Sequence, residues 1–207
     1  MSPDKNLKNK KNIYLIMPVY GQIPYKLRRW VPEEMLDWRR LHRNPRSIEY
    51  LQKNPDKISW ILLAENPDSI ELIEEELKKQ DLFSLSGRGR VGFRKFKRQF
   101  WSRISANPNG LRLLSKNQNL IKWRYLSGNS SAMSILERNV DKINWDNLSS
   151  NPAAINLLEQ NQDKINWSLL SSNPGAIKLL EQNLDKIDWK QLSTNINANE
   201  IIENNPD

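Results

Sequence analysis

The residues best suited to bind a charged partner are concentrated in one segment, residues 86–103, which reads SGRGRVGFRKFKRQFWSR. Seven Lys and Arg residues lie here without a single acidic residue, and Phe93, Phe96 and Phe100 are interleaved with them. Phosphate neutralisation combined with base stacking uses this combination of cations and aromatic rings. The candidate partner-binding residues are Arg88, Arg90, Arg94, Lys95, Lys97, Arg98 and Arg103.

Two other interpretations of this segment remain open at the level of sequence. It is a solvated face of an irregular repeat, with the three phenylalanines in place of the usual Ile and Leu, or it docks on the acidic stretch before it. That stretch contains Glu71 and Glu74 to Glu76. The glycines at 87, 89 and 92 do not form a phosphate-binding loop, because no strand precedes them and no Lys-Ser/Thr pair follows.

Residues suited to catalysis or metal binding are scarce elsewhere. The chain has no cysteine, which excludes disulfides and thiolate metal sites, and its single histidine, His42, has no partner for a triad or a metal site. The carboxylates recur with the repeat described below, so no catalytic pair stands out. The sequence therefore predicts a protein that is not an enzyme, with no catalytic residues, no metal and no cofactor.

The tryptophans give the period of the chain. Most are separated by 22 residues, and the gap of 41 between Trp60 and Trp101 fits one copy with Leu82 in the Trp slot and one copy shortened by three residues. Leu or Ile follows every slot three positions later, eight times in succession. Self-similarity at this period is typical of a solenoid. The predicted structural core series is Trp38, Trp60, Trp101, Trp123, Trp145, Trp167 and Trp189.

One copy, residues 151–172, shows how the unit is built. Asn151 is suited to cap a helix that begins at Pro152, and Asn166 to cap a second, shorter helix that contains Trp167. Asn161 stands where a left-handed residue is expected to end the first helix. Helices of two or three turns do not persist alone, so stability must come from stacking. The Asn positions that recur with Asn161 are Asn54, Asn117, Asn139 and Asn183.

The recurring Trp and Asn residues also allow functional interpretations. The Trp series could form an aromatic binding strip, and the Asn residues could read bases one per repeat, as helical RNA-binding repeats do. The strict period with a Leu three positions after each Trp favours a core, and the capping positions of the Asn residues favour local hydrogen bonding.

The predicted fold is therefore all-α, a solenoid of about eight two-helix repeats of 22 residues. We expect a basic and apolar N-terminal arm over residues 1–21 and a single helical repeat domain over residues 22–207. Residues 88–106 form the irregular, basic copy, which we expect to kink the stack or to form one continuous helix. The predicted repeats start near residues 22, 44, 66, 88, 107, 129, 151, 173 and 195.

The pattern NPxAIxLLExNxDKIxWxxLSxNP, with LRRWVPEEMLDW at residues 27–38, resembles a family of tandem-repeat proteins encoded by giant nucleocytoplasmic DNA viruses. The resemblance covers residues 25–205 and is most specific in the last four copies. It implies a viral origin and a repeat scaffold, and it implies no catalytic residues. Residues 88–106 depart from the pattern, because they are short, basic and lack the Asn-Pro start.

The expected function is a non-enzymatic protein–protein interaction scaffold of a large DNA virus, with other virion proteins as candidate partners. The alternative is a nucleic-acid-binding protein that uses residues 88–103. The apolar stretch Ile13 to Tyr20 is too short to span a bilayer and contains a proline. We therefore expect no membrane span and a location in the virion or the host cytoplasm.

Overall fold

The computed structural model describes residues 32–79 and 90–205, and within these ranges the chain is all-α, with fourteen α-helices and no strand. The predicted N-terminal arm lies outside the described residues. The helices are α1 (Trp38–Arg43), α2 (Ile48–Gln52), α3 (Trp60–Leu63), α4 (Ile70–Lys78), α5 (Arg90–Ala106), α6 (Leu111–Lys116), α7 (Trp123–Ser127), α8 (Met133–Leu136), α9 (Trp145–Ser149), α10 (Ile155–Glu159), α11 (Trp167–Ser171), α12 (Ile177–Glu181), α13 (Trp189–Leu192) and α14 (Asn199–Asn204).

A regular copy contains two short α-helices, each preceded by a 3-10 turn. In residues 151–172 the turn Pro152–Ala154 leads directly into α10, and the turn Gln162–Lys164 precedes α11. The Asn166 side chain accepts the N–H of Leu169 and caps α11, as predicted. The helices that contain a Trp of the series contact one another in chain order, from α1 through α13, so the copies stack as a solenoid.

The core lies between successive copies and consists of small and aliphatic side chains. In the copy 151–172, Ala154, Leu158 and Leu170 have no exposed surface. The Leu or Ile three positions after each Trp is buried wherever the structure describes it. Burial of these residues in every copy is what holds helices of one or two turns together.

The tryptophans lie at the edge of this core, which corrects the prediction that the whole series is buried. Only Trp101 is fully buried, at 1% exposure, while Trp189 is 44% exposed. The remaining rings pack against the core with part of their surface in solvent. These are Trp38, Trp60, Trp123, Trp145 and Trp167. The physical reason is that the Leu three positions later turns toward the neighbouring copy, so the first residue of the helix sits at its rim.

A buried asparagine joins each copy to the one before it. Asn129 donates through Nδ2 to the carbonyls of Ser105 (3.1 Å) and Asn107 (2.9 Å), and its Oδ1 accepts the N–H of Ser131. Because the side chain is buried, both of its polar groups must be satisfied within the protein. Side chains that make equivalent bonds to the preceding copy are Asn66, Asn107, Asn129, Asn151, Asn173 and Asn195.

A second set of bonds between copies uses a buried side chain four residues after the Trp. Ser127 donates to the carbonyl of Trp123 and accepts the N–H of Asn144, which belongs to the next copy. Ser105, Ser149 and Ser171 make the same pair of bonds.

His42 takes the place of this serine in the first described copy. Its Nδ1 bonds to the carbonyl of Trp38, and its Nε2 accepts the N–H of Ser59 at 2.8 Å. A carbonyl can only accept and an N–H can only donate, so the two bonds fix the neutral tautomer with the proton on Nδ1. The one histidine is therefore a structural residue that joins two copies.

The asparagines at the end of each first helix act through their side chains and not through a left-handed backbone. Asn161 has φ −138° and ψ 49°, which corrects the expectation, and its Nδ2 donates to the carbonyl of Leu157. Its Oδ1 accepts from Lys164, whose Nζ lies 4.9 Å above the ring of Trp145 in the preceding copy. Lys142 and Lys186 repeat this arrangement over Trp123 and Trp167.

Candidate binding groove

The basic segment forms most of one continuous 17-residue helix, α5, which is one of the two predicted outcomes. Trp101, Ile104 and Ser105 hold the positions of a second helix, and Asn107 bonds directly to the carbonyls of Ala64 and Asn66. This corrects the predicted separate copy at 88–106: residues 66–106 stack as one long irregular copy, with α4 as its first helix and α5 as its second. Phe96, Phe100 and Trp101 are buried on one face, with the Phe100 and Trp101 rings edge to face at 5.6 Å. The apolar face is thereby used for packing, and the cations are left on the other side of the helix.

The structure places the predicted basic residues unevenly. Arg94, Lys95 and Arg98 are exposed, whereas Lys97 and Arg103 are half-buried. Arg88 lies outside the described residues, and the side chain of Arg90 is not described.

Arg103 is held by an acidic residue of the preceding copy. The Glu65 carboxylate accepts from the guanidinium of Arg103 at 2.6 Å and from that of Arg43 at 2.5 Å, so it bridges three copies of the stack. Partial burial alone would raise the pKa of the Glu65 carboxyl, but the hydrogen bond from Arg43 and the charge of Arg103 outweigh it and hold the pKa below its usual value.

The acidic helix α4 also pairs with cations, although with different ones from those considered in the sequence. Glu74 is buried and accepts from Arg112 at 2.7 Å and from Lys116 at 3.2 Å, both in the copy after α5. Two carboxylates thus join the irregular copy to its neighbours, Glu65 through Arg103 and Glu74 through Arg112 and Lys116.

Two adjoining depressions form a groove between α5 and α7, which we call the α5–α7 groove. One has a volume of about 940 Å³ and is bounded by Glu65, Arg98, Arg103 and the segment Ile121–Tyr125, among others. The other has a volume of about 420 Å³ and is bounded by Phe93, Arg94, Lys97, Arg98, Trp101, Leu120 and Lys122. Arg98 and Lys122 line both, so they stand at the junction.

The cations of the α7 wall were missed at the level of sequence. Lys122, Arg124 and Tyr125 belong to the copy that follows the basic segment, and stacking brings them opposite Arg98. Tyr125 is 46% exposed. One sequence signal was available: Lys122 precedes a Trp, where Asp37, Asn144, Asn166 and Asp188 each cap their helix with a side-chain oxygen. Lysine has no acceptor, and α7 has no side-chain cap.

Side chains that could hold a metal ion are not grouped in the part of the chain that the structure describes. Within residues 32–79 and 90–205 no group of three or more His, Asp or Glu side chains is arranged to hold a metal ion. None of the helices in these ranges combines the length and the apolar character that a bilayer crossing requires. What the groove offers is positive charge on two walls with an aromatic rim, and this suits it to binding.

Together the stack and the groove define an α-helical repeat protein with one irregular copy. Comparison of the chain with models of protein families, with curated proteins and with solved structures gives no match. The resemblance to the giant-virus repeat proteins therefore stays a prediction.

Proposed function

We propose that the protein is a non-enzymatic interaction scaffold that holds a negatively charged protein partner in the α5–α7 groove. The observation that carries this proposal is the concentration of cations at the one break in the repeat. Arg94, Arg98, Lys122 and Arg124 converge there from two copies, and the groove contains one carboxylate, Glu65, which is already paired. Charge complementarity of this kind selects a partner and accelerates its association.

The regular copies support the proposal in a different way. Their buried Leu, Ala, Asn and Ser positions repeat, while the exposed positions differ from copy to copy. A solenoid with a constant interior and a varied exterior presents an extended surface on which a partner is recognised. Within this proposal the scaffold belongs to a large DNA virus, because the resemblance of the repeat pattern implies a viral origin. We propose that it is a component associated with the virion.

Nucleic acid is a second candidate partner, and Tyr125 is the observation that favours it. An exposed aromatic ring beside Arg124 is the pairing that single-stranded nucleic acids use, with the base on the ring and the phosphate on the cation. The affinity of the protein for nucleic acid would then fall steeply as the salt concentration rises, since each phosphate contact releases counterions.

Charge reversal of the groove tests the proposal against a matched control. The groove variant carries Arg94→Glu, Arg98→Glu and Lys122→Glu, and the control carries Arg138→Glu, Lys178→Glu and Lys190→Glu, which are exposed positions of regular copies. Both variants lose the same net charge. We expect the groove variant to bind a labelled polyglutamate chain at least about tenfold more weakly than the control, because several charge-assisted contacts are lost. Equal weakening in both variants would show that net charge alone attracts the probe and would contradict a specific groove.

A further inference from the structure

Lys122 occupies a position at which the fold would be more stable with another residue. In the three following copies and in the first described copy, the residue before the Trp has an extended backbone and is an Asn or Asp that accepts an N–H of the helix. Ser59, at the same position before Trp60, makes no such bond. Lys122 has a comparable backbone, with φ −103° and ψ 88°, but makes no such bond. Loss of an N-cap destabilises a helix, and a cation at a helix N-terminus does not compensate for it. Lys122 weakens its own helix and lines both halves of the groove, so we infer that its role at this position is to bind a ligand.

The chemistry of the groove favours an acidic peptide, which binds through its carboxylates, over a nucleic acid, which binds through its phosphates and bases. Glu65 lines the groove, and its carboxylate is held between Arg43 and Arg103, so a carboxylate bound by guanidinium groups already exists at this site. Sequence-tolerant binding of single strands relies on several open aromatic rings in succession. Of Phe93, Trp123 and Tyr125, only Tyr125 is exposed, and Lys142 already lies over the ring of Trp123 at 5.1 Å.

Trp101 provides a further donor beside the cations. It lines the same half of the groove as Arg94 and Lys97, and its indole Nε1–H is buried without a hydrogen-bond partner among the described residues. Buried donors of this kind are rare because an unmade bond costs free energy. A carboxylate oxygen that enters this half of the groove would supply the missing acceptor.

We propose, on the basis of the function proposed above, that the α5–α7 groove binds an acidic peptide segment of the partner protein. The segment lies between the two walls, with its carboxylates paired to Arg98, Lys122 and Arg124 and the Tyr125 ring packed against its backbone. Lys122 binds the ligand at a position where an Asn or Asp would cap the helix.

The substitution Lys122→Asn separates the two roles of this position in the full-length protein. The probes are a labelled oligoglutamate peptide, an oligoglutamine peptide of the same length and an oligothymidylate. We expect the variant to bind oligoglutamate about tenfold more weakly, as loss of one charge-assisted contact predicts. Its thermal midpoint should rise by about 2–4 °C, because Asn restores the cap. Lys178→Asn, at an exposed position of α12, should change neither quantity.

The outcomes distinguish this inference from the proposed function. Binding of oligoglutamate with the expected loss in Lys122→Asn supports both, and unchanged binding by this variant overturns the role of Lys122. If only the oligothymidylate binds, the peptide inference and the protein partner are both overturned in favour of nucleic acid, the second candidate. If no probe binds, both are overturned. The indole N–H signal of Trp101 in the NMR spectrum is assigned through its absence in the Trp101→Phe variant. We expect this signal to shift when oligoglutamate is added. A signal that does not shift while the peptide binds would place the peptide elsewhere and contradict the inference.

Discussion

The copies after residue 107 and the irregular copy before them solve the same packing problem with different side chains. In the copies that contain α9 and α11, one Trp lies at the rim, a Lys covers its ring, and aliphatic side chains fill the interior. In α5 the Trp is fully buried, Phe96 and Phe100 fill the interior, and the 3-10 turn that follows does not end with a Lys. The position equivalent to Lys142 is Leu120.

This difference shows how a repeat protein can acquire a binding site without losing its stack. The hydrogen bonds between copies are kept on both sides of α5, because Ser105 and Asn107 make the same bonds as their counterparts. The interior changes from aliphatic to aromatic side chains, and the exterior changes from short polar side chains to a row of cations. The following predictions test whether the regular and irregular copies really differ in this way.

The largest expected effect concerns the tryptophans. They occupy equivalent positions in the repeat, but their rings lie in three different environments: buried, half-buried and exposed. Trp101→Ala should destabilise the protein by about 3–5 kcal/mol, as large core truncations do. Trp189→Ala should cost about 1 kcal/mol or less, because the ring is already 44% exposed. Trp145→Ala should fall between them. Urea unfolding followed by circular dichroism measures the three values, and equal losses would show that the Trp series has a single structural role.

The two sets of asparagines should differ next. Asn151→Ala leaves the carbonyl of Ser127 and the N–H of Ala153 without their partner in a buried place, and we expect a loss of about 2 kcal/mol. Asn161→Ala breaks a bond within one copy at a half-buried position, where water can replace the side chain, and should cost about 1 kcal/mol or less. The same unfolding measurement applies. A larger loss at Asn161 would mean that the joints between copies are not what stabilises the stack.

The lysine over each tryptophan should contribute less. Lys164→Gln removes a cation 4.9 Å from the centre of the Trp145 ring and should destabilise by about 0.5–1 kcal/mol. Lys178→Gln, which is exposed and contacts no ring in the described structure, serves as the control and should lie within about 0.5 kcal/mol of the wild type. Indistinguishable free energies of unfolding for the two variants would show that the lysine–tryptophan contact does not stabilise the protein.

The smallest effect is the acid sensitivity that Glu65 confers on the irregular junction. Its pKa is lower in the folded protein than in the unfolded chain, where a glutamate titrates at about 4.3. The stabilisation is therefore fully present above that pH and is lost as the pH falls through the lower, folded value. Glu65→Gln should be less stable than the wild type at neutral pH, and the difference should shrink on acidification below about pH 4. A difference that stays constant with pH would show that the ion pairs with Arg43 and Arg103 contribute nothing.

The repeat itself could be derived from sequence because its signals are local and recur. The Asn-Pro start, the capping Asn or Asp before four of the Trp residues and the Leu or Ile three positions later each predict a structural role that the described copies confirm. The cap expected of Ser59 is not formed. The burial of the Trp rings was predicted wrongly, since the period shows that a position is constrained but not how deep it lies.

The groove could be predicted only in part. The segment around Arg94 and Arg98 stood out through its composition, but the opposite wall depends on how the next copy stacks, which residue spacing alone does not give. Lys122 could have been found as the exception among capping residues. The pairing of Glu74 with Arg112 and Lys116 also depends on three-dimensional placement, because the residues are 38 and 42 positions apart.

Restoring the broken copy tests the central claim most directly. In this chain residues 66–106 are replaced by a duplicate of residues 151–172, which supplies the Asn-Pro start, both helices and the normal length, and Asn107 follows in register. The affinity for labelled oligoglutamate is then measured beside the helical content. The account predicts a fully helical protein that no longer binds the peptide. Retained affinity in a folded protein would contradict the claim that the irregular copy creates the binding site.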